Sequence, residues 1–162
     1  MRYLFSVMIL LLGAPAFAQS LLTTADVNNP FSKMLISQYQ NYRKVGLAGD
    51  IPSYLKTRTS EVSKEISGSL TSEKLKRLSK LDFDPAEYRF IRVEARTKSA
   101  RTLWEKRTEG TTTYQLVKYR LENGEWKIGE TLESINIGDM SKVPGPTGLE
   151  QLLQHRHGQL ID

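Results

Sequence analysis

The chain reads as an α+β protein in which N-terminal helices pack on a curved, four-stranded antiparallel meander. Two observations lead there. The first is the stretch from Thr112 to Ser134, two alternating runs hinged on Asn123-Gly124. That pair suits the two central positions of a type I′ turn, where both residues take positive φ. Before the turn Gln115, Val117, Tyr119 and Leu121 share one face, and Tyr114, Leu116, Lys118 and Arg120 the other. After it Trp126, Ile128 and Leu132 share a face. Period-two patterning of this kind predicts paired strands with one side packed and one side largely wet. The second observation is that apolar residues upstream recur at helical spacing. A hairpin alone is marginal in water, so the helical half is expected to cover its apolar face.

In chain order, the first segment is an address. Arg2 supplies a positive start, Leu4 to Leu12 an apolar run, and Ala16-Phe17-Ala18 a small-x-small site. This is the layout of a secretory signal peptide over residues 1–18, with cleavage after Ala18. The apolar run is shorter than the roughly 20 residues a membrane span needs, and Gly13 and Pro15 interrupt it. No cysteine follows to carry a lipid. The expectation is an exported protein, periplasmic or extracellular, soluble after cleavage and with no later membrane span. The chain has no cysteine at all, which excludes disulfides, thiol nucleophiles, thiolate metal sites and iron–sulfur clusters. The formal charge of +5 favours anionic surfaces in general but is too small to argue for nucleic acid.

Residues 19–28 are polar and read as a flexible arm ahead of a domain over 29–137. Asn29-Pro30 opens a helix as N-cap and first helical residue. Phe31, Met34, Leu35, Tyr39, Tyr42 and Val45 form its apolar stripe, and Gly46 or Gly49 ends it. Asp50 caps a short second helix containing Pro52, with Ile51, Tyr54 and Leu55 inward. The segment from Thr57 to Ser69 reads as its continuation, ending at Gly68. A third helix starts at Thr71 or Ser72, with Leu75, Leu78 and Leu81 inward and Lys74, Lys76, Arg77 and Lys80 on a solvated face. Asp82 to Glu87, with Pro85 inside, reads as a linker. Strands follow over Tyr88 to Lys98 and Ser99 to Arg107, and Glu109-Gly110 turns the chain into the central hairpin. Residues 138–162 are a Pro/Gly-rich linker and a short tail, in which Leu149, Leu152 and Leu153 share one side.

This layout resembles the NTF2-like (SnoaL-like, cystatin-type cone) superfamily. The residues that carry the likeness are the first helix ending in Ala48-Gly49-Asp50, the short helix after it, and the strand pair Val117-Lys118-Tyr119 and Glu122-Asn123-Gly124-Glu125-Trp126-Lys127-Ile128. The likeness spans Pro30 to Ser134. It departs from the pattern between Thr57 and Ser69, where no short strand is placed. The resemblance implies a pocket inside a cone closed on one side by helices. By analogy Tyr39, Tyr42, Tyr54, Trp104, Tyr114, Tyr119 and Trp126 would contribute to it; the other reading is that most of them are core.

The superfamily hosts enzymes, binding modules and assembly domains, so fold alone does not choose among them. An enzyme of this kind needs an acid or base inside the cone. Among the strand carboxylates Glu94, Glu105, Glu130 and Glu133, Glu130 shares parity with Trp126, Ile128 and Leu132, so a raised pKa and a base role are one reading. The other is that strand twist or an edge takes it to water or an arginine. His155-x-His157 lies in the tail and makes a poor metal site alone. No metal and no cofactor is expected, and no Gly-rich phosphate loop or Gly-x-Ser-x-Gly elbow is present. Arg89, Arg92, Arg96, Lys98 and Arg101 form a basic stripe, with Lys118 and Arg120 near it. Arg92, Arg96, Lys98 and Arg101 are the candidate surface for an anionic partner, with cross-strand pairing to Glu94, Glu105 and Glu122 as the competing reading. The expectation is a non-catalytic binding domain for a small ligand or an envelope protein. A carboxylate-based isomerase or hydrolase and a homodimeric assembly module are its alternatives.

Overall fold

The computed structural model describes residues 22–129 and 133–138. Helix α1, Pro30–Ala48, starts where the Asn29 side chain accepts a hydrogen bond from the Phe31 N–H at 2.9 Å. It stops at Gly49, whose φ of 72° is left-handed, and the N–H groups of Gly49 and Asp50 return to the carbonyls of Gly46 and Val45 at 3.0 Å. A residue with a Cβ is disfavoured at that φ. Asp50 then caps α2, Ile51–Thr57, by accepting from the Ser53 N–H at 3.1 Å.

The continuous helix expected through Gly68 is broken. Arg58 and Thr59 leave helical geometry, and α3, Ser60–Ser67, is a separate helix. Arg58 bridges to Ile128 in parallel fashion, and the Thr59 N–H donates to the Ile128 carbonyl at 3.0 Å. The β-branched and hydroxyl residues here suit an extended backbone, and the sheet edge supplies its partner. Helix α4, Ser72–Ser79, is capped by the Thr71 hydroxyl, which accepts from the Lys74 N–H at 3.2 Å. Of its expected inward leucines only Leu75 is buried; Leu78 and Leu81 face solvent. The reason is the contact with α1. A Cβ on Gly46 would lie 2.2 Å from the Ser79 hydroxyl oxygen, so α4 meets α1 along the Leu75–Ser79 row, which lies on one side of the helix.

The described strands form one antiparallel sheet: β1 (Leu22–Thr24), β2 (Arg89–Ala95), β3 (Ser99–Thr108), β4 (Thr111–Glu122), β5 (Glu125–Ile128) and β6 (Glu133–Gly138). The order is β1-β2-β3-β4-β5, and β6 also pairs with β4. Six strands replace the expected four for two reasons. Part of the expected arm pairs with the free edge of β2, with Leu22 opposite Ala95. The strand after the hairpin is also split in two. β5 pairs with the Tyr119–Glu122 end of β4, and β6 with its Thr111–Leu116 end. At the break the Gly129 N–H donates to the Lys118 carbonyl at 2.9 Å. The hairpin turn itself has positive φ at both Asn123 and Gly124, 53° and 81°, as the type I′ reading requires. In β2 the register shifts between Phe90 and Arg92, a bulge of the kind that bends a strand.

One sheet face carries Val93, Ala95, Ala100, Trp104, Val117, Tyr119 and Ile128, buried in a single core with Leu35, Tyr39, Tyr42, Tyr54, Leu75 and Phe83 from the helical half. Phe83 belongs to the segment expected as a linker. The opposite face, expected to be largely wet, holds Leu103, Tyr114 and Leu116 at 1–2% exposure. No helix among the described residues is long and apolar enough to cross a membrane. The signal peptide with its Ala18 site, Glu130, Leu132, His155, His157 and the tail lie outside the described residues.

Candidate functional site

Five of the seven candidate aromatics meet in the core between α1, α2 and the sheet. Tyr39 stacks on Phe83 with ring centroids 4.7 Å apart and on Tyr42 at 5.8 Å, and Tyr42 meets Tyr54 at 5.1 Å. Trp104 lies 5.8 Å from Phe83 and 5.3 Å from Phe90. Their polar ends are satisfied internally. The Tyr39 hydroxyl donates to the Phe83 carbonyl at 2.9 Å, and the Tyr119 hydroxyl to the Leu35 carbonyl at 3.1 Å. The Trp104 indole N–H donates to the Thr102 hydroxyl at 3.1 Å, and the Tyr54 hydroxyl to that of Tyr42 at 3.3 Å. These rings face one another at contact distance, as a packed core does. Burial, first of all, holds the Tyr39, Tyr42 and Tyr119 hydroxyls far above the ordinary phenol range.

The other two aromatics go elsewhere. Trp126 packs edge-on against Phe31 at 5.5 Å, beside the hairpin end of the sheet. Tyr114 sits on the opposite sheet face, across from Glu105 on β3. Desolvation, with Glu105 adding to it, raises its pKa.

A charged cluster lies at one end of the core. The Arg58 guanidinium sits over the Tyr42 ring, 5.4 Å from its centre. Asp82, half-buried after α4, responds to the same groups. Burial pushes its pKa up to about 6, against hydrogen bonding from Tyr42 and the charges of Arg58 and Arg43, which pull it down. Arg43 also pairs with Asp84 at 3.1 Å. The Nε atoms of Arg43 and Arg58 are buried without a hydrogen-bond partner. A carboxyl that titrates near neutrality beside two arginines and a tyrosine marks a functional-site candidate. The sequence reading missed it by taking residues 82–87 as a linker. The available signal was Phe83, a large aromatic between two aspartates.

The arginine that joins Asp82 to Asp84 also lines an open groove of about 580 Å³ between α1 and the Pro85 turn. Val27, Ile36, Leu47, Pro85, Ala86 and Trp104 give it apolar walls, and Gln40 and Lys44 stand on its α1 side. Lys44 is exposed and has no ion pair among the described residues. Two further grooves lie around the hairpin tip. One, of about 370 Å³, is lined by Arg58, Ser60, Glu122 and Lys127; the other, of about 600 Å³, by Met34, Val45, Lys56 and Trp126. Asp82 lines none of these three.

The basic stripe is largely tied up in cross-strand pairs. Arg92 and Arg101 both donate to Glu94, at 2.7 and 2.6 Å. Arg89 and Arg107 both donate to Glu105. Arg96 and Lys98 sit at the β2–β3 turn. The Arg96 N–H donates to the Ser99 carbonyl at 2.8 Å, the Lys98 carbonyl accepts from the Leu121 N–H at 2.8 Å, and the Arg96 Nε is buried without a partner. Among the described residues no cluster of three or more metal-ligating side chains occurs. No family model, curated protein or solved structure matches the chain.

Proposed function

We propose that the protein is an exported, non-catalytic binding domain on the NTF2-like plan, and that its ligand is a small amphipathic molecule with an anionic head. The observation that carries this reading is the groove between α1 and the Pro85 turn. Its volume of about 580 Å³ lies in the range that encloses small ligands, and mostly apolar walls with a few polar groups are the usual lining of such sites. Six apolar or aromatic residues would take the body of the ligand and Lys44 its head; the Asp84 carboxylate on the same groove is neutralised by its pair with Arg43. The filled aromatic core argues for this groove over the cone interior as the ligand site. The signal-peptide pattern at residues 1–18 supports export, and helices laid on one face of an antiparallel sheet support the superfamily reading.

A second reading has one specific observation in its favour. The raised carboxyl of Asp82 beside Tyr42 suits a general acid or base better than an ordinary surface aspartate does. It would carry the isomerase or hydrolase alternative in place of Glu130.

Dodecanoate, with dodecylamine as its control, tests the first reading by thermal shift. Saturable stabilisation by the carboxylate follows RT ln(1 + [L]/Kd), about 2.7 kcal/mol at a hundredfold excess over Kd. Ala86→Leu, which fills the groove from an exposed position, abolishes it, and Lys44→Glu reverses the preference toward the amine. Equal response to both amphiphiles, or a response that survives Ala86→Leu, sinks the reading.

A further inference from the structure

We infer that the groove between the hairpin tip and the α2–α3 break is a second ligand site, built on Arg58 for a small hydroxylated carboxylate of the sugar-acid kind. Arg58 is 8% exposed and lines this groove. Among the described residues its guanidinium makes no ion pair and no hydrogen bond; its contact is the face of Tyr42, 5.4 Å away. A cation–π contact offsets only part of the cost of enclosing a guanidinium, and an enclosed charge is as a rule paired. Asp82 is not that pair. Burial, more than any arginine, sets its carboxyl, which stands above the ordinary value. Nε is the one guanidinium nitrogen of Arg58 that is both buried and unbonded. The two Nη atoms thus keep a path to solvent, and they are the paired donors that a carboxylate accepts.

The groove is held ready. The backbone of Arg58 is fixed by its bridge to Ile128, and the Thr59 N–H donates to the Ile128 carbonyl at 3.0 Å. Across the groove Glu122 accepts from the Ser60 N–H at 2.9 Å and from its hydroxyl at 2.8 Å, and Lys127 donates to the Lys56 carbonyl at 2.8 Å. These crossings tie the hairpin tip to the helices, so a groove of about 370 Å³ needs little ordering when it is filled.

The charges left over choose the ligand. Glu122 is occupied by Ser60 at the start of α3, and Glu125 pairs with Lys127. Arg58 and Lys56 have no such match among the described residues. Lys56 is exposed, and its ammonium acts only through space on Asp50. The unmatched charge of the groove is therefore positive. The Ser63 hydroxyl donates to the Leu55 carbonyl at 2.7 Å, and that of Ser60 donates to Glu122. Both oxygens keep lone pairs for the hydroxyls of a ligand, and the exposed Asn123 amide adds a donor and an acceptor. An anion that carries hydroxyls matches all of these groups.

The test titrates D-glucuronate into the isotope-labelled protein, with D-glucose as the uncharged control, and follows backbone amide shifts by NMR. The expected result is a saturable shift at Ser60, Asn123 and Lys127 with glucuronate alone. Arg58→Gln weakens that binding at least about tenfold, and Lys56→Glu at least about threefold. Circular dichroism accompanies both variants; should Arg58→Gln fold poorly, Lys56→Glu at its exposed position decides. Equal shifts with glucose overturn the inference. So does the absence of a saturable shift at these three amides, and so does glucuronate binding that a folded variant leaves unchanged.

Discussion

Arg58 holds its guanidinium 5.4 Å from the centre of the Tyr42 ring, with its Nε buried and unbonded. The arrangement follows from the break between α2 and α3. Arg58 leaves the helix to bridge Ile128 on the sheet, and its side chain is thereby placed at the end of the tyrosine cluster, where it and Arg43 supply positive charge for Asp82.

The first prediction concerns Asp82. Its folded-state pKa of about 6 stands above the ordinary value of 3.8, so the native state binds more protons than the unfolded chain between those limits. The contribution of this group to stability therefore falls as pH rises from about 4 to about 6 and stays low above that. Asp82→Asn removes the loss. After allowance for solvent screening of a half-buried group, the variant is more stable than the parent at pH 7.5 by about 1–2 kcal/mol, and the two converge near pH 4. Urea unfolding across that range reads the difference. A variant less stable at pH 7.5 by the same amount would show that the arginines outweigh burial.

The second prediction rests on the approach of α1 to α4. Gly46→Ala places a methyl 2.2 Å from the Ser79 hydroxyl oxygen and 3.0 Å from its Cβ. Alanine favours helix over glycine by about 1 kcal/mol, while overpacking costs about 1–3 kcal/mol. The sum is a loss of up to about 2 kcal/mol, measured as a lower denaturation midpoint, and Ser79→Ala in the same chain recovers part of it. A stabilised Gly46→Ala would mean that α4 shifts freely.

Glu94 and Glu105 make the third prediction by comparison. Each is buried and accepts from two arginines, but the arginines differ. Arg92 and Arg101 are 18% and 12% exposed, while Arg89 and Arg107 are 67% and 71% exposed. Glu94→Gln removes a buried carboxylate shared by two enclosed arginines, which keep only their other interactions, and costs about 2–3 kcal/mol. Glu105→Gln leaves cations that water reaches and costs less than about 1 kcal/mol. Equal losses in equilibrium unfolding would contradict this account.

Much of the fold was legible from the chain alone, because the signals are local. Asn29-Pro30, Gly49-Asp50 and Asn123-Gly124 act through φ preferences and through hydrogen bonds within a few residues, which a sequence displays directly. Period-two alternation likewise marked the two faces of β4, but Leu116 and Tyr114 on the face expected to be wet are as buried as Val117 and Tyr119. What it could not tell is which of two plausible faces a distant partner would use. Leu78 and Leu81 have the same spacing merit as Leu75, and only the Gly46–Ser79 contact decides among them. The extended turn at Arg58 exists because Ile128, 70 positions away, offers a carbonyl. Asp82 became a candidate because the fold encloses it beside Arg43 and Arg58. Helix caps and turns were determined by the sequence itself, since their energy lies in neighbouring residues; burial, charge pairing and the groove were decided by tertiary structure, since their energy lies in contacts between residues far apart in the chain.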